Sequence, residues 1–315
     1  MSDPLVSAII TTCHRGAPML MQAVESARNQ TYRPLEIIVV SDNPPDGDHA
    51  REVAGALRAL PDVRLIQLPR NSGAQAARNA GIRASSGDFV ALLDDDDLWL
   101  PEKIARQMPA FSDPRVGLVY CRGYVFSDDP DDLRDYYTTI HGFRTAASFE
   151  ELLVGDVIGS TSQAVIRRAC FEDCGYFDER FRVRQDYDRW LAIAEKYRTA
   201  GIDVPLFLHR RHNGGRITAL DSSLQELESF RMLYRKYRRY YHRYPILCMW
   251  HYYRRAKTLK RHGMRVRAAY NAARAFFWNP AAFLKKFNPG WRLRPNRGTS
   301  PGRRRRRTCC RRSSS

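Results

Sequence analysis

Phe89–Asp97 reads FVALLDDDD: five apolar residues run straight into four consecutive carboxylates, with Leu98-Trp99-Leu100-Pro101 behind them. A short, continuously apolar run is the pattern of a strand buried on both faces, as in a parallel sheet covered by helices. Working outward, the same kind of run recurs at Leu5–Thr12 (LVSAIITT), Leu35–Ser41 (LEIIVVS) and Val63–Leu68. Helices are predicted between them over Pro18–Gln30, His49–Leu60 and Gly73–Ala84, and turn formers fill Asp42–Gly47. On the other side, Val116–Phe126 and Ala164–Arg167 resume the sheet, and Tyr187–Tyr197 is a helix. Ser127–Asp156 is a long irregular connection rich in Asp and Tyr, a length that usually carries function. The fold class is α/β, with a doubly wound, mostly parallel sheet and a C-terminal helical extension. Ligands of such sheets bind outside the carboxyl ends of the strands. Those ends are Thr11-Thr12, Ser41-Asp42, Pro69-Arg70-Asn71 and Asp94–Asp97.

Charge divides the chain. There are 52 Lys+Arg against 34 Asp+Glu, net +18, but the last acidic residue is Glu228 and 26 of the basic ones lie from Arg231 onward. The first 230 residues are therefore net −8. A mildly acidic body joined to a strongly basic end points to a polyanionic partner for that end, a membrane surface or a nucleic acid. From Ser222 the pattern is helical: Leu227, Phe230, Tyr234, Tyr237 and Tyr241 share one face, and Val266, Tyr270, Ala273 and Phe277 form a second stripe. Pro295–Ser315 is rich in Gly, Pro, Ser and Arg and is expected to be disordered. No run approaches the roughly 20 apolar residues of a membrane-spanning helix, and Met1-Ser2-Asp3-Pro4 lacks the start of a secretory signal. Seven cysteines without zinc-ligand spacing read as free thiols in a reducing cytoplasm.

Most charge runs are solvated surface. Asp94–Asp97 differs in having apolar flanks and in sitting where a buried strand ends. Four carboxylates there repel one another and stay partly protonated unless a cation neutralises them. Mg²⁺ and Mn²⁺ take carboxylate oxygens and leave positions open for substrate phosphates, so a metal–diphosphate role is the sharper reading.

With these residues in place the chain resembles the family 2 glycosyltransferases, whose domain has the fold called GT-A. The matching pieces are Val6–Thr12, SARNQTY at Ser26–Tyr32, LEIIVVSDNPPDG at Leu35–Gly47, NSGAQAARNAGI at Asn71–Ile82 and GDFVALLDDDDLWLPEKI at Gly87–Ile104. GYFDERF at Gly175–Phe181 and QDYDRWL at Gln185–Leu191 complete them. They recur in family order over residues 4–215, and the ordered set is far more specific than any one piece. The resemblance implies a nucleoside-diphosphate sugar donor, a saccharide or lipid-linked acceptor, and Mg²⁺ or Mn²⁺. Thr11 and Asp42 match nucleoside contacts; family members often carry two acids where this chain has Ser41-Asp42. Arg78 lies near the expected nucleotide pocket, although a surface arginine is the bland alternative. Asp94 and Asp96 match the Asp-x-Asp motif, with Asp96 the metal ligand and Asp95 beside the donor; the run of four leaves the register open by one residue. Asp186 matches the catalytic base, with capping of the Tyr187–Tyr197 helix as its plain alternative. His212, in His209–Arg216, matches a loop that returns to the diphosphate, where it would contact phosphate or join Asp94 and Asp96 on the metal, with a structural histidine as the plain alternative, and Gly214-Gly215 would permit its close approach.

Residues 1–218 are thus expected to form the catalytic domain, 219–290 a basic helical region and 291–315 an Arg-rich tail. The expected location is cytoplasmic, with the C-terminal part peripheral on the cytoplasmic face of an anionic membrane. Val266, Tyr270, Ala273 and Phe277, then Phe283, Leu284 and Phe287, are edged by Arg267, Arg274, Lys285 and Lys286, the composition of an interfacial helix. The competing reading packs both stripes on the catalytic domain. Three other functions fit less well. A sugar-nucleotide pyrophosphorylase needs a Gly-rich loop after the first strand, and Thr11–Gly16 offers one glycine. A nucleic-acid-binding protein would use Arg303–Arg307 but has no need of an acid cluster in a net-negative body. An inactive sugar-nucleotide-binding homologue would have no reason to keep both acid motifs.

Overall fold

The computed structural model describes residues 3–127, 129–130, 133, 135–137, 142–211 and 222–287. Its first half alternates β1 (Val6–Thr12), α1 (Ala17–Arg28), β2 (Leu35–Ser41), α2 (Asp48–Leu57), β3 (Val63–Gln67), α3 (Ala74–Ala84) and β4 (Phe89–Asp94). Then follow β5 (Leu98–Trp99), α4 (Lys103–Gln107), β6 (Val116–Phe126), β7 (Asp135–Tyr137), α5 (Phe149–Val154), β8 (Val165–Arg167), α6 (Ala169–Cys174), α7 (Gln185–Ala194) and β9 (Arg198–Arg210). The C-terminal helices are α8 (Ser222–Lys236), α9 (Arg238–Arg243), α10 (Pro245–Arg261), α11 (Arg265–Trp278) and α12 (Pro280–Phe287).

Among the described residues one sheet runs in the order β3-β2-β1-β4-β8-β6-β9-β5, with β7 added to β6. β3, β2, β1 and β4 are parallel; β8 is antiparallel to both β4 and β6, which returns β6 and its parallel neighbour β9 to the first direction. The sheet is therefore mostly parallel, as expected. Strand side chains alternate between faces, and both faces are covered. Ile9, Ile38, Val40, Val90 and Leu92 enter one core with α3, α5 and α7. Ala8, Ile10, Ile37, Val39, Ala91 and Leu93 enter the other with α1 and α2. Each of the Val, Leu and Ile side chains contributes on the order of 1.5–3 kcal/mol by leaving water, which is why these strands read as mostly apolar runs. The first core also takes in Phe230, Leu233, Tyr237, Tyr241, Leu247 and Cys248, so α8–α10 pack onto the layer of α5 and α7.

Several expectations need correction. The helix expected at Tyr187–Tyr197 starts at Gln185 and ends at Ala194, placing Asp186 inside its first turn. The thirteen-residue strand β9 was not expected, because Gly201, Asp203 and Pro205 interrupt any strand pattern. Register shifts against β6 around Arg122 absorb that interruption. The irregular connection contains α5, started by a capping box in which Ser148 and Glu151 satisfy each other's backbone N–H. The first C-terminal stripe is divided at Tyr237, although Phe230, Tyr237 and Tyr241 are buried as expected. The second stripe does not pack on the body: Val266 is 85% exposed, Phe277 80% and Tyr270 62%. α11 instead buries the small face Ala268, Asn271 and Ala275. No described helix is long and apolar enough to cross a membrane. The five described cysteines are free.

Candidate functional site

The parallel register sets Thr11 beside Asp94 and Thr12 beside Ser41, so β1, β2 and β4 end together. Their ends and the start of α3 surround a cavity of about 260 Å³ lined by Thr11, Asp42, Arg15, Arg78, Asp94, Asp95 and Asp96. Asp42 is buried, and its two carboxylate oxygens accept from the backbone N–H groups of Ser72 (2.7 Å) and Gly73 (2.8 Å), fixing the turn into α3. α3 lies close on the sheet because Gly81 has no side chain: a Cβ there would stand 2.5 Å from Ile9 Cγ2 and 3.0 Å from Val40 Cγ2. That approach buries Arg78, so it is not the surface arginine of the bland alternative.

The repulsion within the acid run is relieved in part by the chain's own cations. Arg15 pairs with Asp95 at 2.8 Å and Asp96 at 2.5 Å. Arg78 pairs with Asp94 at 2.6 Å, and Thr161 Oγ1 donates to the same carboxylate. Asp97 turns away from the cavity; His209 Nδ1 lies 3.0 Å from it and the Arg210 backbone N–H donates to it at 3.1 Å. Burial pushes Asp95 up to about 6 against the pull of Arg15, and burial likewise raises Asp97 despite His209. Three atoms of residues that line the cavity, Thr12 Oγ1, Arg78 Nη1 and Asp95 Oδ2, are buried without a close hydrogen-bond partner among the described residues, and of these the Thr12 hydroxyl is near enough to Asp95 to lower its pKa. Buried polar groups left so are costly, and they mark a place for a ligand or water. Among the described residues no three His, Cys, Asp or Glu side chains form a metal cage. Asp94 and Asp96 suit a cation that takes its other ligands from phosphate and water, as Mg²⁺ and Mn²⁺ do.

Asp186 lies outside the lining of this cavity but within reach of the charge of Arg78. It stands in the first turn of α7 behind Arg184, whose φ of 61° starts the helix in the left-handed region. One of its oxygens accepts from the Tyr187 N–H at 2.7 Å. Part of the residue still reaches solvent, yet burial pushes its carboxyl up to about 7. The neighbouring Asp156 adds to the rise, while Arg78 and Arg184 oppose it. Asp156 accepts from the N–H groups of Ile158 and Gly159 at 3.0 and 2.9 Å, and burial raises it too. Asp188, two residues on, is engaged elsewhere: Lys236 Nζ of α8 donates to both its oxygens at 2.8 Å.

Thus Thr11, Asp42, Arg78, Asp94, Asp95 and Asp96 are gathered in one cavity, and Asp186 is near enough to Arg78 to feel its charge. His212 lies outside the described residues; His209, three residues earlier, is the histidine at the acid run. Two site residues escaped the sequence reading. Arg15 had a signal, a cation just past the first strand end facing a run of carboxylates. Asp156 had none.

The pattern described as Glycosyl transferase family 2 matches residues 7–175, more than half of the chain. The chain belongs to glycosyl transferase family 2. Among similar proteins, the uncharacterized glycosyltransferase YwdF of Bacillus subtilis is 30% identical over 213 residues, covering 67% of this chain and 75% of YwdF. TuaG of the same organism, a glycosyltransferase named for teichuronic acid biosynthesis, is 27% identical over 199 residues, covering 62% of this chain and 75% of TuaG. The mannosyltransferase PcManGT from Pyrobaculum calidifontis, solved with GDP-Man and Mn²⁺, superposes with a TM-score of 0.54 at 18% identity, over 89% of this chain and 75% of that one. The cavity at the strand ends is therefore the candidate site of a glycosyltransferase with the GT-A architecture.

Proposed function

We propose that this family 2 glycosyltransferase moves a hexose from a nucleoside diphosphate onto an acceptor hydroxyl with inversion, in the synthesis of a cell-envelope polysaccharide or lipid-linked saccharide. The observation that carries the reading is Arg78, whose buried Nη1 lacks a hydrogen-bond partner among the described residues, on a polar cavity and near enough to the raised carboxyl of Asp186 for its charge to act there. A guanidinium with a free N–H suits a diphosphate oxygen, and Arg15 brings a second one to the same wall. Thr11 and Asp42 take the nucleoside side; each carboxylate oxygen of Asp42 keeps a lone pair beyond its backbone bond. Mg²⁺ or Mn²⁺ held by Asp96 with Asp94 would neutralise charge on the departing diphosphate. PcManGT and TuaG support the donor class and the envelope setting by likeness.

Asp186 accepts the acceptor's proton. A sugar hydroxyl is a poor nucleophile and must lose its proton as it attacks, and a base with a pKa near the working pH does this best. Burial, and after it the charge of Asp156, raise Asp186 toward that range, which supports the role. A single carboxylate on the acceptor side suffices for one displacement, with no covalent intermediate. The test is the configuration of the sugar first released when the enzyme hydrolyses an α-linked donor such as GDP-mannose or UDP-N-acetylglucosamine, followed by proton NMR. The β anomer is expected first; the α anomer first would contradict inversion.

Residues 219–290 lie, in this proposal, against the cytoplasmic face of an anionic membrane. Val266, Tyr270, Phe277 and Leu284 are all more than half exposed on α11 and α12, and Arg267 and Arg274 flank them on α11. An apolar face of that kind edged by arginine fits the headgroup boundary.

A further inference from the structure

A second cavity, of about 460 Å³, lies among α8, α9, α10 and α11 and shares no lining residue with the cavity at the strand ends. Five arginines line it: Arg231, Arg235, Arg238, Arg255 and Arg274. No carboxylate does. Arg231 has Glu228 at 3.5 Å, and the charge of Glu228 also reaches Arg255; Arg235, Arg238 and Arg274 have no acidic partner among the described residues. Like charges collected in one concave place repel one another; Arg231, Arg235 and Arg238 are exposed, while Arg255 and Arg274 are half-buried. The fold nevertheless holds them in place. Arg255 donates to Asn271 Oδ1 at 3.2 Å, and the buried Asn271 is itself anchored on the Arg267 carbonyl. Arg274 stacks over Tyr252 at 4.1 Å, a geometry that fixes a guanidinium without using its N–H donors. Two histidines complete the wall. The Tyr234 ring stacks on His251 at 4.4 Å, and its hydroxyl lies 2.9 Å from His242 Nε2. Burial pushes His251 down to about 3, and Arg255, Arg254 and Arg274 push it further in the same direction.

We propose that this cavity is an anion site, separate from the donor site, that holds the phosphate or diphosphate of a ligand. Planar guanidiniums with free donors match phosphate oxygens two at a time, and the volume is that of an ordinary small-molecule site. Tyr270 both lines the cavity and stands exposed beside Phe277 and Val266, so the mouth opens at the edge of the apolar face. The phosphate can therefore belong to a lipid headgroup at that face or to a free phosphate compound.

Titration of the full chain with inorganic pyrophosphate in the presence of chelator, followed by calorimetry, tests the site. Losing a charge-assisted hydrogen bond costs roughly tenfold in affinity, so Arg255→Gln/Arg274→Gln should bind pyrophosphate at least that much more weakly. Because that pair also holds α10 to α11, Arg235→Gln/Arg238→Gln, at exposed positions, serves as the second variant and should weaken binding equally with an unchanged melting temperature. Arg78→Gln, in the other cavity, should retain the binding. In NMR the His251 ring should titrate at higher pH once pyrophosphate is bound, because an anion offsets the arginines. Flotation with phosphatidylglycerol vesicles separates the sources. Release by pyrophosphate, with loss in both double variants, assigns a lipid headgroup; vesicle binding indifferent to both variants, alongside lost pyrophosphate binding, assigns a free phosphate compound. If both double variants bind pyrophosphate within about twofold of the wild type, or if Arg78→Gln alone abolishes binding, the proposal is overturned.

Discussion

Asp186 illustrates how much a single residue's role depends on neighbours that the sequence does not reveal. Its match to the family motif was readable, and so was the plain alternative of a helix cap; what raises its pKa was not, because Asp156 lies thirty residues away with no spacing signal. The carboxyl ordinarily titrates near 3.8 and here near 7. The proposed base acts only when ionised, so kcat/KM should rise with pH through about 7. Asp156→Asn removes the largest charge contribution to that rise and should move the acid limb to lower pH; a profile left in place would show that Asp156 does not tune Asp186. Stability follows the opposite sign. The folded state holds this proton more tightly than the unfolded chain, so the associated stabilisation is present below about 3.8 and is lost as pH rises through about 7. Asp186→Asn, which cannot ionise, should therefore melt at a higher temperature than the wild type at pH 8, measured by calorimetry. The acid run was readable as a site at its strand end, but its internal division was not: Asp94, Asp95 and Asp96 face the cavity and Asp97 does not.

Elements built from continuous apolar runs were the readable ones. β1, β2, β4 and β6 fall within a residue of expectation, because strands buried on both faces are mostly apolar and few polar positions interrupt them. β9 was lost because its interruptions are accommodated by bulges, a tertiary solution invisible to pattern. α3 matters most for the site, since it carries Arg78 and is held close to β1 and β2 by Gly81. Gly81→Ala puts a methyl where Ile9 and Val40 already stand. Overpacking of that kind costs about 1–3 kcal/mol, and lifting α3 should move Arg78 away from the donor. A lowered melting temperature together with a raised donor KM is expected. A lowered melting temperature with unchanged KM would mean that the sheet gives way rather than the helix.

The molecule as a whole joins an acidic α/β part to basic helices, and the charge count alone shows that contrast. Composition could not tell which C-terminal stripe packs and which stays open, because Tyr241 and Tyr270 look alike in sequence. Packing decides it: α11 turns its small residues toward α10 and leaves its large ones outward. Val266→Asp/Phe277→Asp should therefore leave the melting temperature nearly unchanged, since surface substitutions usually stay within about 0.5 kcal/mol. The same double variant should abolish flotation with phosphatidylglycerol vesicles. Flotation equal to the wild type would remove the apolar face from membrane binding.

The measurement that bears most directly on transfer chemistry compares Asp186→Asn with Asp188→Asn, assaying donor affinity and turnover separately. Asp188 is held by Lys236 and does structural work, so its variant should lose melting temperature but keep turnover in the molecules that remain folded. Asp186→Asn should bind the nucleotide sugar as the wild type does, while turnover falls by roughly 10²–10⁴, the range for loss of a general base. An active Asp186→Asn beside a folded but inactive Asp188→Asn would contradict the assignment of the base.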